Sequence, residues 1–238
     1  MQAVLESLWA PLAATPLVWL VVTLAAFVLG RRVQTWAGNH PLATPAPLAM
    51  AAVALVLVLT GTSYDTYASG AQFITFLLGP TTIALAIPLA RHVEAIRKNF
   101  RGIFLALLAG SLASIASGVA IVILLGGSRD VALSMAPKAA TTPIAMAVAQ
   151  EIGGVPALSA SLAILGGVVA AITGPQMLHR LKIRDWRAQG LAAGVAGSGL
   201  GAAQVASRHE LAAAFGALGI GLNGLLTALV LPLLARFL

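Results

Sequence analysis

No cysteine occurs in this chain, so disulfides, thiolate metal sites and thiol nucleophiles are excluded. Charge is almost as scarce. Only 9% of the 238 residues are charged and only seven are Asp or Glu, whereas a soluble domain carries roughly 25% charged residues. Seven carboxylates cannot cover the surface of a soluble protein this size. The histidines (His40, His92, His179, His209) fall in loops without metal-ligand spacing. No nucleophile–base pair, phosphate loop or nucleotide fingerprint is present, which argues against an enzyme and implies no cofactor or metal. The amino terminus has Glu6 as its only charge and lacks the basic region of a cleavable signal peptide, so the first apolar run is expected to be retained as a helix.

What the chain does have is apolar sequence, 59% of its residues, with a mean hydropathy of +0.96. Its net charge of +7 sits in loops between apolar runs, a pattern of membrane topology rather than nucleic-acid binding. Spanning a bilayer takes about 20 mostly apolar residues. About six runs qualify: 16–30, 42–60, 71–90, 102–125, 157–181 and 211–235. Two more, 131–150 and 189–207, are apolar but interrupted. The expectation is an all-α polytopic protein forming one membrane domain over 1–238. N-terminal helices occupy 1–70, and a core over 71–238 holds the broken segments.

Loop charge sets the orientation. Arg31 and Arg32, then Arg91, Arg97, Lys98 and Arg101, then Arg180, Lys182, Arg184 and Arg187 mark three cytoplasmic loops, which puts the N-terminus outside. If 131–150 crossed the membrane once, the last of these clusters would lie outside. The rule is satisfied if 131–150 re-enters from the outer face and 189–207 from the cytoplasmic face. Helix followed by broken segment then occurs twice in inverted sense, as in secondary transporters. Two discontinuous spanning helices are the rival, because about 20 residues is short for a full hairpin.

The interruptions carry the chemistry. Pro137 and Pro143 flank Lys138, Thr141 and Thr142, and prolines break a helix. Broken backbone at membrane depth is tolerated only against protein or a water-filled cavity, and an intramembrane charge marks a functional site by default. Thr142 followed by Pro143 reads as a cap and first position of a half-helix running to Gln150. In the second interruption Gly197, Gly199 and Gly201 break the helix, and Ser198 followed by Gly199 could start another half-helix, running toward His209. Two helix amino termini and Lys138 would make an anion site suited to a carboxylate of roughly two to four carbons. In that reading Lys138 pairs with the anion, Thr141, Thr142 and Ser198 hydrogen-bond it, and Asn223 braces the site. Other readings stand beside it: Lys138 can snorkel to the surface, the glycine run can be a packing face, and Asn223 can be an interhelical hydrogen bond. Gly79-Pro80 and Gly174-Pro175 read as kinks, and Glu151 as an interfacial half-helix end.

Four segments resemble the LrgB/CidB family of antiholin-like membrane proteins. They are Pro137-Lys138-Ala139-Ala140-Thr141-Thr142-Pro143-Ile144-Ala145-Met146, Glu151-Ile152-Gly153-Gly154, Leu78-Gly79-Pro80-Thr81-Thr82 and Gly221-Leu222-Asn223-Gly224-Leu225-Leu226-Thr227-Ala228. The likeness extends over about 73–234. It implies two functions: an antiholin-like regulator of murein hydrolase activity and cell lysis, acting with a holin-like LrgA or CidA partner, or a carrier. The carrier reading comes through similarity to plastidal proteins that move glycolate and glycerate, and to bacterial members linked to pyruvate. An inner-membrane location and homo-oligomers are expected. One departure stands out: where the family reads Ser-His-Gly-Ile-Gly-Thr-Ala, this chain has Gly197-Ser198-Gly199-Leu200-Gly201-Ala202-Ala203. Ser198 takes the histidine's position and a hydroxyl is lost at Ala202.

Overall fold

The computed structural model describes residues 16–38, 43, 45–84 and 86–235, so Met1–Thr15 and His40 lie outside the described residues. The secondary structure described is helical: α1 (Pro16–Trp36), α2 (Pro45–Thr60), α3 (Tyr64–Ala84), α4 (Ala86–Arg91), α5 (Val93–Lys98), α6 (Phe100–Leu124), α7 (Arg129–Met135), α8 (Thr142–Ile152), α9 (Pro156–Arg180), α10 (Trp186–Ala206) and α11 (Glu210–Leu234). Among the described residues α1, α6, α9 and α11 are long and apolar enough to cross a membrane. The expected six included α2, which stops at 16 residues, and α3, whose first turns carry Asp65 and several hydroxyls. Leu78-Gly79-Pro80-Thr81-Thr82 lies inside α3, and its side chains fall outside the described residues. The protein is an all-α, multi-pass membrane protein.

The chain divides into two compact units, Met1–Ala84 and Leu85–Leu238. In the first, Ala26, Ala49 and Val53 form a small core. Trp19 is fully buried and meets Tyr67 edge to face at 6.0 Å, while Thr23 and Tyr67 share a hydroxyl contact of 3.2 Å. Small residues let these helices close up: a Cβ on Gly30 would sit 2.8 Å from the Pro45 carbonyl.

The second unit is organised by its ends. Arg187 Nη1 donates to Asn99 Oδ1 (3.5 Å), Arg91 pairs with Glu210 (2.9 Å), and the Trp186 and His209 rings stack at 5.3 Å. The start of α6, the end of α9 and the starts of α10 and α11 therefore share one face, rich in Arg and Lys. Because α6 and α9 each run the full 25 residues, α6 must end, and α9 begin, at the opposite face. The segment between them enters and leaves on that opposite face. Its two helices have 7 and 11 residues, roughly 10 and 16 Å at 1.5 Å per residue, so against a hydrocarbon core of about 30 Å neither can cross, and the longer reaches about half way. The C-terminal end of α7 is tied to the chain leaving α8: Ser134 Oγ accepts from Val155 N (2.7 Å) and donates to the Asp130 carbonyl (2.6 Å), while a Cβ on Gly154 would lie 2.9 Å from Ser134 N. Gly153 (φ 88°) makes the turn out of α8 that an L side chain resists.

α10 folds back in the same way from the basic face. At Ser198 the backbone leaves helical geometry (φ 47°, ψ −135°), and Gly201 comes to lie against the Ala193 carbonyl of its own helix. The first arm runs beside α11, with Gly190 against Ala212 and Gly194 against Gly216. Two half-depth hairpins thus enter from opposite faces. Ile115, Val119, Ala132, Val148 and Leu231 pack around the first. Ile103, Leu107, Leu191, Val195 and Phe215 pack around the second.

Candidate functional site

The tips of the hairpins meet at half depth. Residues 136–141 carry no regular helix, only turn bonds from Lys138 N to Met135 O and from Ala140 N to Pro137 O. Pro137 is buried there and Pro143 is exposed. α8 begins one residue earlier than the sequence suggested: Thr141 takes the cap position, Thr142 opens the helix, and Pro143 follows at its second position. The expected side-chain cap is absent. Thr141 has extended φ/ψ (−63°, 147°) and makes no side-chain bond to the first turn.

Lys138 does not snorkel to either face. Its Nζ donates to the Ser114 hydroxyl at 2.7 Å and to the Ser114 carbonyl at 3.0 Å, near the middle of α6. Gly118, one turn further, makes room: a Cβ there would stand 3.4 Å from Nζ. Among the described residues no carboxylate pairs with this ammonium. An unneutralised ammonium at that depth is costly.

Asn223 is 1% exposed and stands where α11 passes both tips. Its Nδ2 donates to the Ala139 carbonyl (2.9 Å) and to the Val195 carbonyl (3.4 Å), and its Oδ1 accepts from Ser111. One amide therefore ties the residue after Lys138 to the arm leading to Ser198, and both to α6. It is both an interhelical bond and a brace.

Two cavities contain Lys138. One, of about 700 Å³, lies between α6 and α10 and runs from Asn99 and Arg187 at the basic face to Ser114, Ser117 and Lys138. The other, of about 580 Å³, follows the flank of α9 from Leu181 to Met135 and is nearly all apolar. At the mouth of the first, Arg187 and Asp185 pair at 2.6 Å. That side-chain hydrogen bond holds the Asp185 carboxyl below its usual range.

Of the residues singled out in the sequence, Lys138 lines both cavities and Gly201 the apolar one, while Thr141, Thr142, Ser198 and Asn223 line neither. Gly197 and Gly201 pack against Ala170 and Ala193 beside the kink, and Gly199 faces open space. Glu151 is exposed at the end of α8. The α6 stripe of Ser111, Ser114 and Gly118 was missed. Its spacing, three then four residues on one helical face, is the signal that could have found it.

These features define a multi-pass membrane protein built around two inverted half-depth hairpins. The chain belongs to the LrgB-like family, whose model matches residues 23–237. Antiholin-like protein LrgB of Bacillus mycoides (strain KBAB4) is 32% identical over 223 residues, covering 94% of this chain and 97% of the relative. The protein of the same name from Bacillus cereus (strain B4264) matches to the same extent. No solved structure matches this chain.

Proposed function

We propose that this protein carries small monocarboxylates or hydroxy acids, of the glycolate, glycerate or pyruvate type, across the bacterial inner membrane by alternating access. The observation supporting this reading is the Lys138 ammonium, paired with no carboxylate among the described residues and set at the head of a cleft open to the basic face. Inverted hairpins meeting at half depth are the frame on which alternating access is built. The positive-inside rule makes the basic face cytoplasmic and the N-terminus external. The function is transport rather than catalysis, and the protein assembles as a homo-oligomer.

Uptake of radiolabelled glycolate, pyruvate and lactate into proteoliposomes tests this. Saturable uptake in the wild type, lost with Lys138→Ala, is expected. A Lys138→Ala variant with wild-type rates would sink the proposal.

The relatives' shared name favours a second reading, an antiholin-like regulator working with an LrgA- or CidA-type membrane partner. Such a regulator tolerates Lys138→Ala and fails when packing glycines such as Gly197 or Gly201 are enlarged. Assaying both variant types for lysis control and for uptake separates the two.

A further inference from the structure

We infer that Ser114 and Lys138 form a two-donor receptor for one carboxylate group, and that the group belongs to a monocarboxylate with a small, weakly polar remainder. The inference deepens the carrier reading and rests on it. A lysine ammonium has three donors, and two of those on Lys138 go to the oxygens of Ser114. The third is free. The Ser114 hydroxyl accepts from Nζ, so its own proton is also free to be donated. Two free donors therefore sit on atoms 2.7 Å apart, a spacing that both oxygens of one carboxylate can meet with a charge-assisted bond each. Gly118 holds the arrangement by giving Nζ space against α6. Thr141 and Thr142, the hydroxyls nearest in sequence, reach neither cavity.

The rest of the cleft selects the remainder of the ligand. Its charged lining groups are Lys138, Asp185 and Arg187, and the last two neutralise each other at the mouth. The inner end thus supplies one positive charge for one negative charge. Gly110 lies one turn from Ser114 on α6, and Ala192, Val195 and Ala196 of α10 line the same cleft, small apolar groups that accept a short hydrocarbon portion. A second carboxylate would be desolvated against them without a partner.

The test is equilibrium binding by calorimetry to the purified full chain in detergent, with propionate and lactate as probes and succinate as competitor. Wild type is expected to bind propionate and lactate, and Lys138→Ala to bind neither. Ser114→Ala is expected to weaken both by about 10- to 100-fold, the range for a lost hydrogen bond to a charged group. Ser114→Thr keeps the hydroxyl and is expected to stay within a few-fold of wild type, which separates donor chemistry from misfolding. Ser114→Ala binding as wild type overturns the paired receptor and leaves the carrier reading standing. Succinate competing as well as propionate overturns the monocarboxylate assignment. Wild type binding none of the probes overturns the receptor and the carrier reading together.

Discussion

Asn223 joins three elements through one buried amide, and neither of its ends can be removed cheaply. Without it the carbonyls of Ala139 and Val195 and the Ser111 hydroxyl lose a partner in surroundings that offer few others. Asn223→Ala is expected to lower the melting temperature in detergent by several degrees, from about 1–2 kcal/mol of lost intramembrane bonding. Unchanged melting would show that the tips are held by packing alone. Ser198 presents the opposite case. Its φ of 47° with ψ of −135° matches the first central position of a type II′ turn, which favours glycine. Ser198→Gly should stabilise by about 1 kcal/mol and Ser198→Val should destabilise, both readable as melting shifts. The sequence made Lys138 legible through its flanking prolines and Ser198 through its glycines, because breakers act locally. The spacing of Ser111, Ser114 and Gly118 marks a shared face of α6, but a serine inside an apolar helix looks the same whether it packs or binds. Only the tertiary neighbour decides.

At the scale of elements, close approach of backbones holds the second hairpin against α11. A side chain at Gly194 would run into the Gly216 carbonyl and come within 3.1 Å of Ile220 N, whereas Gly199 has open space. Gly194→Val is expected to abolish stable folding, and Gly199→Ala to be neutral or slightly stabilising through helix propensity. Equal yields of folded protein from the two variants would remove this account of the hairpin. The entrance of α10 depends on ionisation. Asp185 accepts from Arg187 N at 2.8 Å and is held below its usual pKa by the Arg187 side chain. A depressed folded-state pKa contributes stability above the unfolded value near 4, lost as pH falls through the folded value. Wild type should therefore lose a small increment of thermal stability below about pH 4, and Asp185→Asn should show none of that slope. The helices themselves were legible from apolar runs, but their ends were not. α8 starts at Thr142 rather than Pro143 and runs to Ile152 rather than Gln150, without a side-chain cap.

At the scale of the whole molecule, the charge pattern anticipated the topology. Arg97, Lys98 and Arg101 around the α5–α6 junction and Lys182 and Arg184 between α9 and α10 could share a face only if the interrupted segment between α6 and α9 turned back. The objection that 20 residues are too few for a hairpin falls because its arms of 7 and 11 residues turn back within the membrane and need not cross its full depth. What composition could not supply was the meeting of the two tips, which depends on Asn223, Ser111 and Ser114 arriving together from α6 and α11. The cleft follows from that meeting, and the proposed chemistry follows from the cleft. The most direct measurement uses the absence of native cysteine. Single cysteines at Arg129, Glu151, Arg184 and Arg208, all exposed, are labelled with a membrane-impermeant thiol reagent in sealed vesicles of known orientation. Labelling of 129 and 151 from one side, and of 184 and 208 from the other, is the predicted result. Labelling of 129 and 151 from opposite sides would make the first interrupted segment a spanning helix and contradict the account at its centre.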